Sequence, residues 1–238
     1  MVLRIYLLMD GKLVPVLRTV PKTTGVARAA LDQLIAGPRA AESSATPALR
    51  TTVPADTVVL GLSIKDGIAT VDLSREFESG GGSASMLGRL GQVVYTLTQF
   101  SSVHEVAFKL DGKPVTTFSG EGIVLDHPTG RDDYMALVPP IFVDFPAWGA
   151  SLANPARITG TANVFEATFR IAIRDGAGNT LADRQVMATC GTGCAGTFDV
   201  TIAYAVAKAQ MGSLVAYNRS AKDGSVEDLR SYPVMLVP

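Results

Sequence analysis

The sequence predicts an α+β domain of order ββαββαββ, with helices packed on a sheet, followed by an all-β sandwich. In the first half, Asp-Gly turns separate β-rich runs, and two stretches with helical hydrophobic spacing lie between them. In the second half the helical period disappears and short β-rich runs recur instead. We therefore expect a first domain at residues 1–120, a connection at residues 121–139 and a second domain at residues 140–238.

Three β-hairpins are predicted in the first domain. Each has an Asp-Gly pair between two β-rich runs, and such a pair favours the tight turn that requires positive φ. The pairs are Asp10-Gly11, Asp66-Gly67 and Asp111-Gly112. Together these hairpins supply the six strands of the predicted order.

Two helices are predicted between the hairpins. The first runs from a cap at Thr24 to the break at Gly37-Pro38, and the second covers roughly residues 84–99. Their apolar stripes are Ala27, Ala30, Leu31, Leu34 and Ile35 in the first helix, and Leu87, Leu90, Val94 and Leu97 in the second. This spacing turns one apolar face of each helix toward a core. The polar segment at residues 39–51 is predicted to be a loop.

The second domain is predicted to be a sandwich of the immunoglobulin type. About seven short strands at intervals of roughly 8–12 residues, separated by turn residues, are typical of this architecture. The β-rich runs are residues 141–144, 156–161, 167–174, 181–189, 197–205, 213–218 and 232–237. The inter-sheet disulfide of antibody domains is absent, because both cysteines fall at one predicted hairpin tip.

The composition excludes several classes of function. The 238 residues carry a formal net charge of −1, whereas nucleic-acid binding usually needs a basic face, so no nucleic-acid partner is expected. No run approaches the ~18–20 apolar residues of a membrane helix. Met1 to Met9 contains Arg4 and lacks a cleavage site, which favours a strand over a signal peptide. We expect a soluble chain, with the targeting segment of an exported protein outside it.

Cys190 and Cys194 are the only cysteines and stand in Cys-Gly-Thr-Gly-Cys. A metal site needs about four ligands, and His104 and His127 are far away in sequence, so no metal is expected. A local disulfide and two free thiols are the remaining alternatives. The disulfide is favoured, because the intervening glycines permit the tight loop that a bridge requires.

No catalytic residue and no cofactor are predicted. Gly191 to Gly196 matches the dinucleotide fingerprint by letter, but a β-rich run follows it where a helix is required. There is no G-x-S-x-G elbow, and both histidines are expected to lie on the surface. Glycoside hydrolysis by two carboxylates stays open, because the sequence does not show which acidic residues lie close together.

Five residues are candidates for a binding surface. Gln92, Tyr95, Thr96 and Gln99 lie beside the apolar stripe of the second predicted helix, where they form either a solvated flank or a partner-binding face. Trp148, the only tryptophan, is either a stacking residue for a sugar or protein partner, or a packing residue near the domain junction.

Two sets of segments carry a resemblance to known domains. In the first half they are LDQLIAGP at residues 31–38, TVP at 52–54, ATVDLS at 69–74, QVVYTLTQ at 92–99 and DGKPV at 111–115. In this order they resemble the GerMN domain, the sporulation and spore germination domain. In the second half they are ITGTANVFEA at residues 158–167, GTF at 196–198, DGS at 223–225 and PV at 233–234. These resemble the immunoglobulin-like domain of bacterial spore germination proteins.

The resemblance implies an exported, extracytoplasmic protein, usually a lipoprotein anchored on the outer face of the cytoplasmic membrane, with no known enzymatic activity. It also implies assembly or scaffolding, because GerMN is similar to the ring-building domains of sporulation complexes. The expected partner is a cell-envelope component, either peptidoglycan or a membrane protein complex, and self-association is also expected. Contact with the membrane is expected only through an anchor outside this sequence. A carboxylate-based cell-wall glycan hydrolase and a modulator of a membrane sensor or germinant receptor are the alternatives.

Overall fold

The computed structural model describes residues 1–238 and divides into two compact units. The first unit comprises Met1–Leu13 and Arg18–Leu137, and the second comprises Val14–Leu17 and Val138–Pro238. No helix in the structure has the length and apolar character needed to span a bilayer.

Up to residue 137 the chain forms short sheets with helices between their strands. The elements are β1 (Val2–Met9), β2 (Lys12–Thr19), α1 (Val26–Ile35), α2 (Ala40–Ser43), β3 (Leu49–Arg50), β4 (Val59–Lys65), β5 (Ile68–Leu73), α3 (Ser83–Leu97), β6 (Glu105–Leu110), β7 (Lys113–Pro114), β8 (Thr117–Phe118) and β9 (Ile123–Val124). β1 is the central strand of a three-stranded sheet in the order β2-β1-β3. A second sheet has the order β4-β5-β6-β7, and β8 pairs with β9.

The three predicted Asp-Gly turns are confirmed. Asp10, Asp66 and Asp111 have φ of 51°, 51° and 47°, the left-handed conformation that such turns require. The predicted order ββαββαββ does not, however, show which strands pair across the sheet, and in the structure β5 and β6 pair in parallel. They do so because α3 carries the chain back across the sheet between them.

The loop predicted at residues 39–51 is wrong, because this segment contains α2 and β3. The N–H of Arg39 donates to Glu42 Oε2 at 2.7 Å and so caps the short helix. Glu42 is buried, and both of its carboxylate oxygens accept hydrogen bonds from the buried Arg18 guanidinium at 2.7 Å. The polar composition that suggests a loop therefore includes one half of a buried ion pair, for which a local sequence pattern gives no signal.

β1 lies at the centre of the core of the first unit. Ile5, Tyr6 and Leu7 are fully buried, so both faces of the strand are excluded from solvent. α1 and α3 both pack against this strand. Most of the predicted apolar stripes are buried, namely Ala27, Ala30, Leu31 and Leu34 of α1 and Leu90, Val94 and Leu97 of α3. Each large side chain buried in this way stabilises the fold by ~1.5–3 kcal/mol.

The segment Arg131–Leu137, which forms short 3-10 turns, packs on α3 at Gly91. A Cβ at Gly91 would clash with the Leu137 side chain, so the glycine permits the close approach. The sequence places this segment in the predicted connection at residues 121–139, whereas its contacts join it to the first unit.

The second unit is an all-β sandwich, as predicted. Its strands are β10 (Ile141–Phe145), β11 (Ser151–Leu152), β12 (Ala156–Ala162), β13 (Thr168–Asp175), β14 (Thr180–Met187), β15 (Gly196–Ile202), β16 (Gln210–Arg219) and β17 (Val226–Leu236). One sheet has the order β10-β12-β15, and the other has the order β11-β17-β16-β13-β14. Each of the seven predicted runs overlaps one of these strands, and β11 is the additional one.

Aromatic rings fill the space between the two sheets. Phe169 of β13 meets Phe198 of β15 edge to face, with ring centroids 4.9 Å apart and an interplanar angle of 63°. Gly160 of β12 makes this packing possible, because a Cβ there would clash with the Phe142 carbonyl oxygen and would crowd the Phe198 ring. Tyr232 of β17 is also fully buried.

Candidate functional site

The predicted binding residues of α3 lie inside the first unit. Gln92 and Thr96 are fully buried, Tyr95 is 3% exposed and Gln99 is partly buried. This contradicts both alternatives for these residues, a solvated flank and a partner-binding face. The physical reason is that the polar atoms of Gln92, Thr96 and Gln99 bond to the backbone of β1, while the Tyr95 ring packs on another side chain of this strand.

Side chains of α3 and of Gln99, which follows the end of the helix, complete one edge of β1. The Tyr6 N–H donates to Thr96 Oγ1 at 3.1 Å, and Gln92 Nε2 donates to the Tyr6 carbonyl oxygen at 2.9 Å. The Arg4 N–H donates to Gln99 Oε1 at 2.9 Å, and Gln99 Nε2 donates to the Arg4 carbonyl oxygen at 2.6 Å. The N–H and C=O groups of both strand residues are therefore satisfied, those of Tyr6 by α3 and those of Arg4 by Gln99.

The neighbouring strand is too short to do this. β3 pairs with β1 only at Leu8 and Met9, so it does not reach Arg4 or Tyr6. Gln92 extends the connection further, because its Oε1 also accepts a hydrogen bond from the Thr52 N–H at 3.0 Å. A single helical face thus joins α3, β1 and the segment after β3.

The Arg131 guanidinium packs over the ring of Tyr95. The Tyr95 ring packs edge to face on Tyr6, with centroids 5.4 Å apart, and the Arg131 guanidinium carbon lies 4.6 Å from the Tyr95 centroid. Arg131 Nε also donates to Thr98 Oγ1 at 2.9 Å. Tyr95 is therefore a packing residue in this structure.

Trp148 lies between β10 and β11 and is partly buried. Its backbone N–H donates to the Pro15 carbonyl oxygen at 2.9 Å, and it forms an isolated bridge with Val16. These contacts fix its backbone and leave the role of the indole ring as a hypothesis.

Cys190 and Cys194 form a disulfide-capable pair at the tip between β14 and β15, with Cα atoms 6.0 Å apart and sulfurs 2.02 Å apart. The loop at residues 190–196, which we call the cysteine loop, leads into a strand, so its glycines lack the helix that a dinucleotide site needs.

The cysteine loop is bonded to the turn at residues 163–167. The Thr192 N–H donates to the Val164 carbonyl oxygen at 3.0 Å, and the Glu166 N–H donates to Thr192 Oγ1 at 3.1 Å. The Gly193 N–H donates to Asn163 Oδ1 at 2.9 Å. The cysteine loop therefore braces this turn from one side.

The braced turn presents an aromatic ring to solvent. Glu166 and Ala167 have φ of 54° and 56°, a left-handed conformation that costs energy in residues other than glycine. Phe165, directly before them, is 55% exposed. It stands over a groove of about 220 Å³, which we call the Phe165 groove. Its polar lining residues include Glu166, Arg170, Gln185, Asn218 and Arg219.

Hydrogen bonds hold the floor of the Phe165 groove. Arg170 Nε donates to Asp183 Oδ1 at 2.9 Å and to the Tyr217 hydroxyl at 3.2 Å. The Asp183 carboxylate raises the pKa of Arg170, so this side chain stays charged. The Arg219 guanidinium carbon lies 5.7 Å from the Tyr217 ring centroid. Both cations are therefore positioned before any ligand arrives.

A second, more polar depression lies in the first unit, with a volume of about 610 Å³. It is lined in part by Glu76 and Glu78. A hydrogen bond from the Ser74 hydroxyl lowers the pKa of Glu76, which is the opposite of what a general acid needs. Burial raises the pKa of Asp228, but this residue lines neither depression. The geometry thus does not support the carboxylate hydrolase.

The histidines and the buried tyrosine add no acid–base pair. The Asp126 carboxylate raises the pKa of its neighbour His127, which is exposed. Burial raises the pKa of Tyr134 to about 12, so its hydroxyl stays protonated. His104 lies against the turn at Gly67.

Sequence patterns do not single out Phe165 or Arg219. Phe165 lies between two predicted strands, outside any alternating pattern, and this position is the one local signal that it does not belong to the core. The exposure of its ring depends on the turn and its brace.

Comparison with known proteins agrees with the two units. Residues 4–116 match the family model Germane, described as sporulation and spore germination. Residues 140–225 match the family model Gmad2, described as the immunoglobulin-like domain of bacterial spore germination. No curated protein matches the chain.

Two solved structures from Bacillus subtilis are similar to the chain. The first GerMN domain of the sporulation protein GerM is 28% identical, with a TM-score of 0.48, and the match covers 56% of this chain and 99% of that one. The tandem GerMN domains of GerM are 21% identical, with a TM-score of 0.50, and the match covers 85% of this chain and 61% of that one. At 21% identity, the similarity to the tandem GerMN domains shows a shared fold and nothing about function.

The Thr96→Val substitution tests the structural role of α3. We expect it to lower the free energy of unfolding by about 1–3 kcal/mol, because the Tyr6 N–H is left buried without an acceptor. Thr180→Val in β14, at an exposed position, is the matched control and is expected to change stability by less than about 0.5 kcal/mol. Urea unfolding measures both. Equal values for the two variants would contradict the assignment.

The Cys190→Ser/Cys194→Ser double variant tests the brace. We expect faster amide hydrogen exchange at residues 163–167 and unchanged exchange in β16, with a stability loss of about 2 kcal/mol for so short a loop. A thiol assay on the non-reduced wild-type protein should find no reactive cysteine. Two reactive thiols would show that the pair is not bridged, and unchanged exchange at residues 163–167 would show that the bridge does not brace the turn.

Proposed function

We propose that this protein is a non-enzymatic, extracytoplasmic binding protein of the bacterial cell envelope. The proposal is supported by the match of residues 4–116 to the sporulation and spore germination family and of residues 140–225 to the immunoglobulin-like domain of bacterial spore germination. The binding site is the Phe165 groove. The observation that carries this proposal is the exposed Phe165 ring, which a braced and strained turn holds over a concave surface.

Exposure of this ring has a physical cost. A phenylalanine left in water forgoes the ~1.5–3 kcal/mol that its burial would contribute. Two consecutive left-handed residues add backbone strain at the same turn. A partner that covers Phe165 would recover part of this free energy, which supports a binding role for the turn.

The chemistry near the depressions supports binding over catalysis. Glu76 is held ionised, and the carboxyl group of raised pKa, that of Asp228, lies elsewhere. The two matched families are also not known as enzymes. A reaction would require an acid and a base that converge on one ligand.

The cysteines support an extracytoplasmic location. Disulfides persist in oxidising compartments and are rare in the cytosol. Cys190 and Cys194 are placed for such a bridge. We expect the protein to work outside the cytoplasmic membrane, as a membrane-anchored lipoprotein.

The proposed partner is peptidoglycan, the component that every envelope protein of this location meets. Self-association as a scaffold is the second candidate, and β4 favours it. This strand ends the sheet β4-β5-β6-β7, and its residues Leu60 and Ile64 are 51% and 41% exposed. An apolar edge strand can pair with a further strand.

Retention on purified peptidoglycan tests the proposal. We expect saturable binding without release of soluble muropeptides, and weaker binding by Phe165→Ala. Met211→Ala is the matched control, because Met211 is 52% exposed and lies at the opposite end of β16 from Asn218 and Arg219.

Release of muropeptides would contradict the non-enzymatic assignment. Absence of retention would contradict peptidoglycan as the partner. In that case a mass above 25.0 kDa in light scattering would favour the scaffold.

A further inference from the structure

We infer that the Phe165 groove is a saccharide subsite that takes one ring of an N-acetylhexosamine chain. This inference deepens the proposed function and rests on it for the biological source of the chain. It depends on four features of the groove, namely its aromatic wall, its polar groups, its rigidity and its size.

The aromatic wall fits the face of a sugar ring. A pyranose presents C–H groups on its faces and hydroxyl groups around its rim, so it can stack on a flat apolar surface. Phe165 offers such a surface, because 55% of the residue is exposed and its ring has no polar atom. Phe169, which also lines the groove, is 1% exposed and belongs to the core beneath.

The polar groups fit the rim of the ring. Sugar hydroxyls both donate and accept hydrogen bonds, and an acetamido group does the same. Gln185 supplies an amide that can do either, Arg219 supplies N–H donors, and Glu166 supplies a carboxylate acceptor. Asn218 uses its Oδ1 for the Arg219 N–H at 2.8 Å, so its NH₂ group is the part that can donate to a ligand.

These groups are held on rigid supports. Gln185 lies on β14, Asn218 and Arg219 lie on β16, and Glu166 lies on the turn braced by the cysteine loop. Sugars are strongly hydrated and usually bind weakly, so they gain most from a site that needs little ordering on binding.

The small volume of the Phe165 groove and the charged edge strand β14 favour a sugar over a larger molecule or a peptide. A volume of about 220 Å³ falls below the roughly 300–1,000 Å³ of sites for drug-sized molecules. An extended peptide could instead add to the free edge of β14. The charges of Asp183 and Arg184 on that strand oppose such strand addition.

The inference is tested by titrating the full chain with the β-1,4-linked N-acetylglucosamine trimer, up to millimolar concentration, and recording protein NMR spectra. We expect shifts at residues 165–170, 185 and 218–221. Phe165→Leu, which keeps an apolar side chain but removes the ring, should bind about ten-fold more weakly. Phe165→Trp should keep the affinity, and Met211→Ala should match the wild type.

The outcomes separate this inference from the proposed function. No shift with the trimer, or equal affinity of Phe165→Leu and the wild type, overturns the saccharide subsite even if peptidoglycan retains the protein. Trimer binding that depends on the Phe165 ring supports the subsite even if intact peptidoglycan does not retain the protein. In that second case only the proposed partner fails. Circular dichroism of each variant shows whether the fold is intact.

Discussion

The first unit depends on the hydrogen bonds between the side chains of α3 and the backbone of β1. β1 is the most buried strand of this unit, yet its neighbour β3 covers only its last two residues. The buried N–H and C=O groups of Tyr6 would otherwise be left without partners, at a cost of about 1–3 kcal/mol each, and those of the partly buried Arg4 would also lack a strand partner. Gln92 and Thr96, one turn apart on α3, satisfy those of Tyr6, and Gln99, just after the helix, satisfies those of Arg4.

Local patterns predict local structure well in this chain. Asp-Gly pairs predict the hairpin turns, because the turn requires the conformation that these residues adopt. Apolar spacing predicts α1 and α3, and turn residues predict the strands of the sandwich. The patterns fail where a polar residue has a distant partner. As a polar residue Glu42 favours a loop, but in the fold it pairs with Arg18. Gln92 has the pattern of a solvated residue, but in the fold it bonds to Tyr6, 86 positions away.

The candidate site could not be predicted for the same reason. Phe165 is an ordinary apolar residue in the sequence, and its exposure results from two left-handed residues and from hydrogen bonds to a loop about 26 positions later. The spacing of the cysteines predicts a bridge, but only the fold shows that they lie beside the turn at residues 163–167. The structure thus moves the candidate binding surface from α3 in the first unit to the Phe165 groove in the second, because α3 already uses its polar groups internally.

Amide hydrogen exchange of the full chain, with and without bound peptidoglycan, tests this assignment most directly. The account predicts that the Arg4 and Tyr6 amides exchange as slowly as the core in both states, because their acceptors, Gln99 and Thr96, are permanent. It predicts new protection on binding at residues 163–168 and 218–221 only. Protection that appears instead along residues 92–99, together with fast exchange at Arg4 and Tyr6 in the free protein, would contradict the account and return α3 to the role of a binding face.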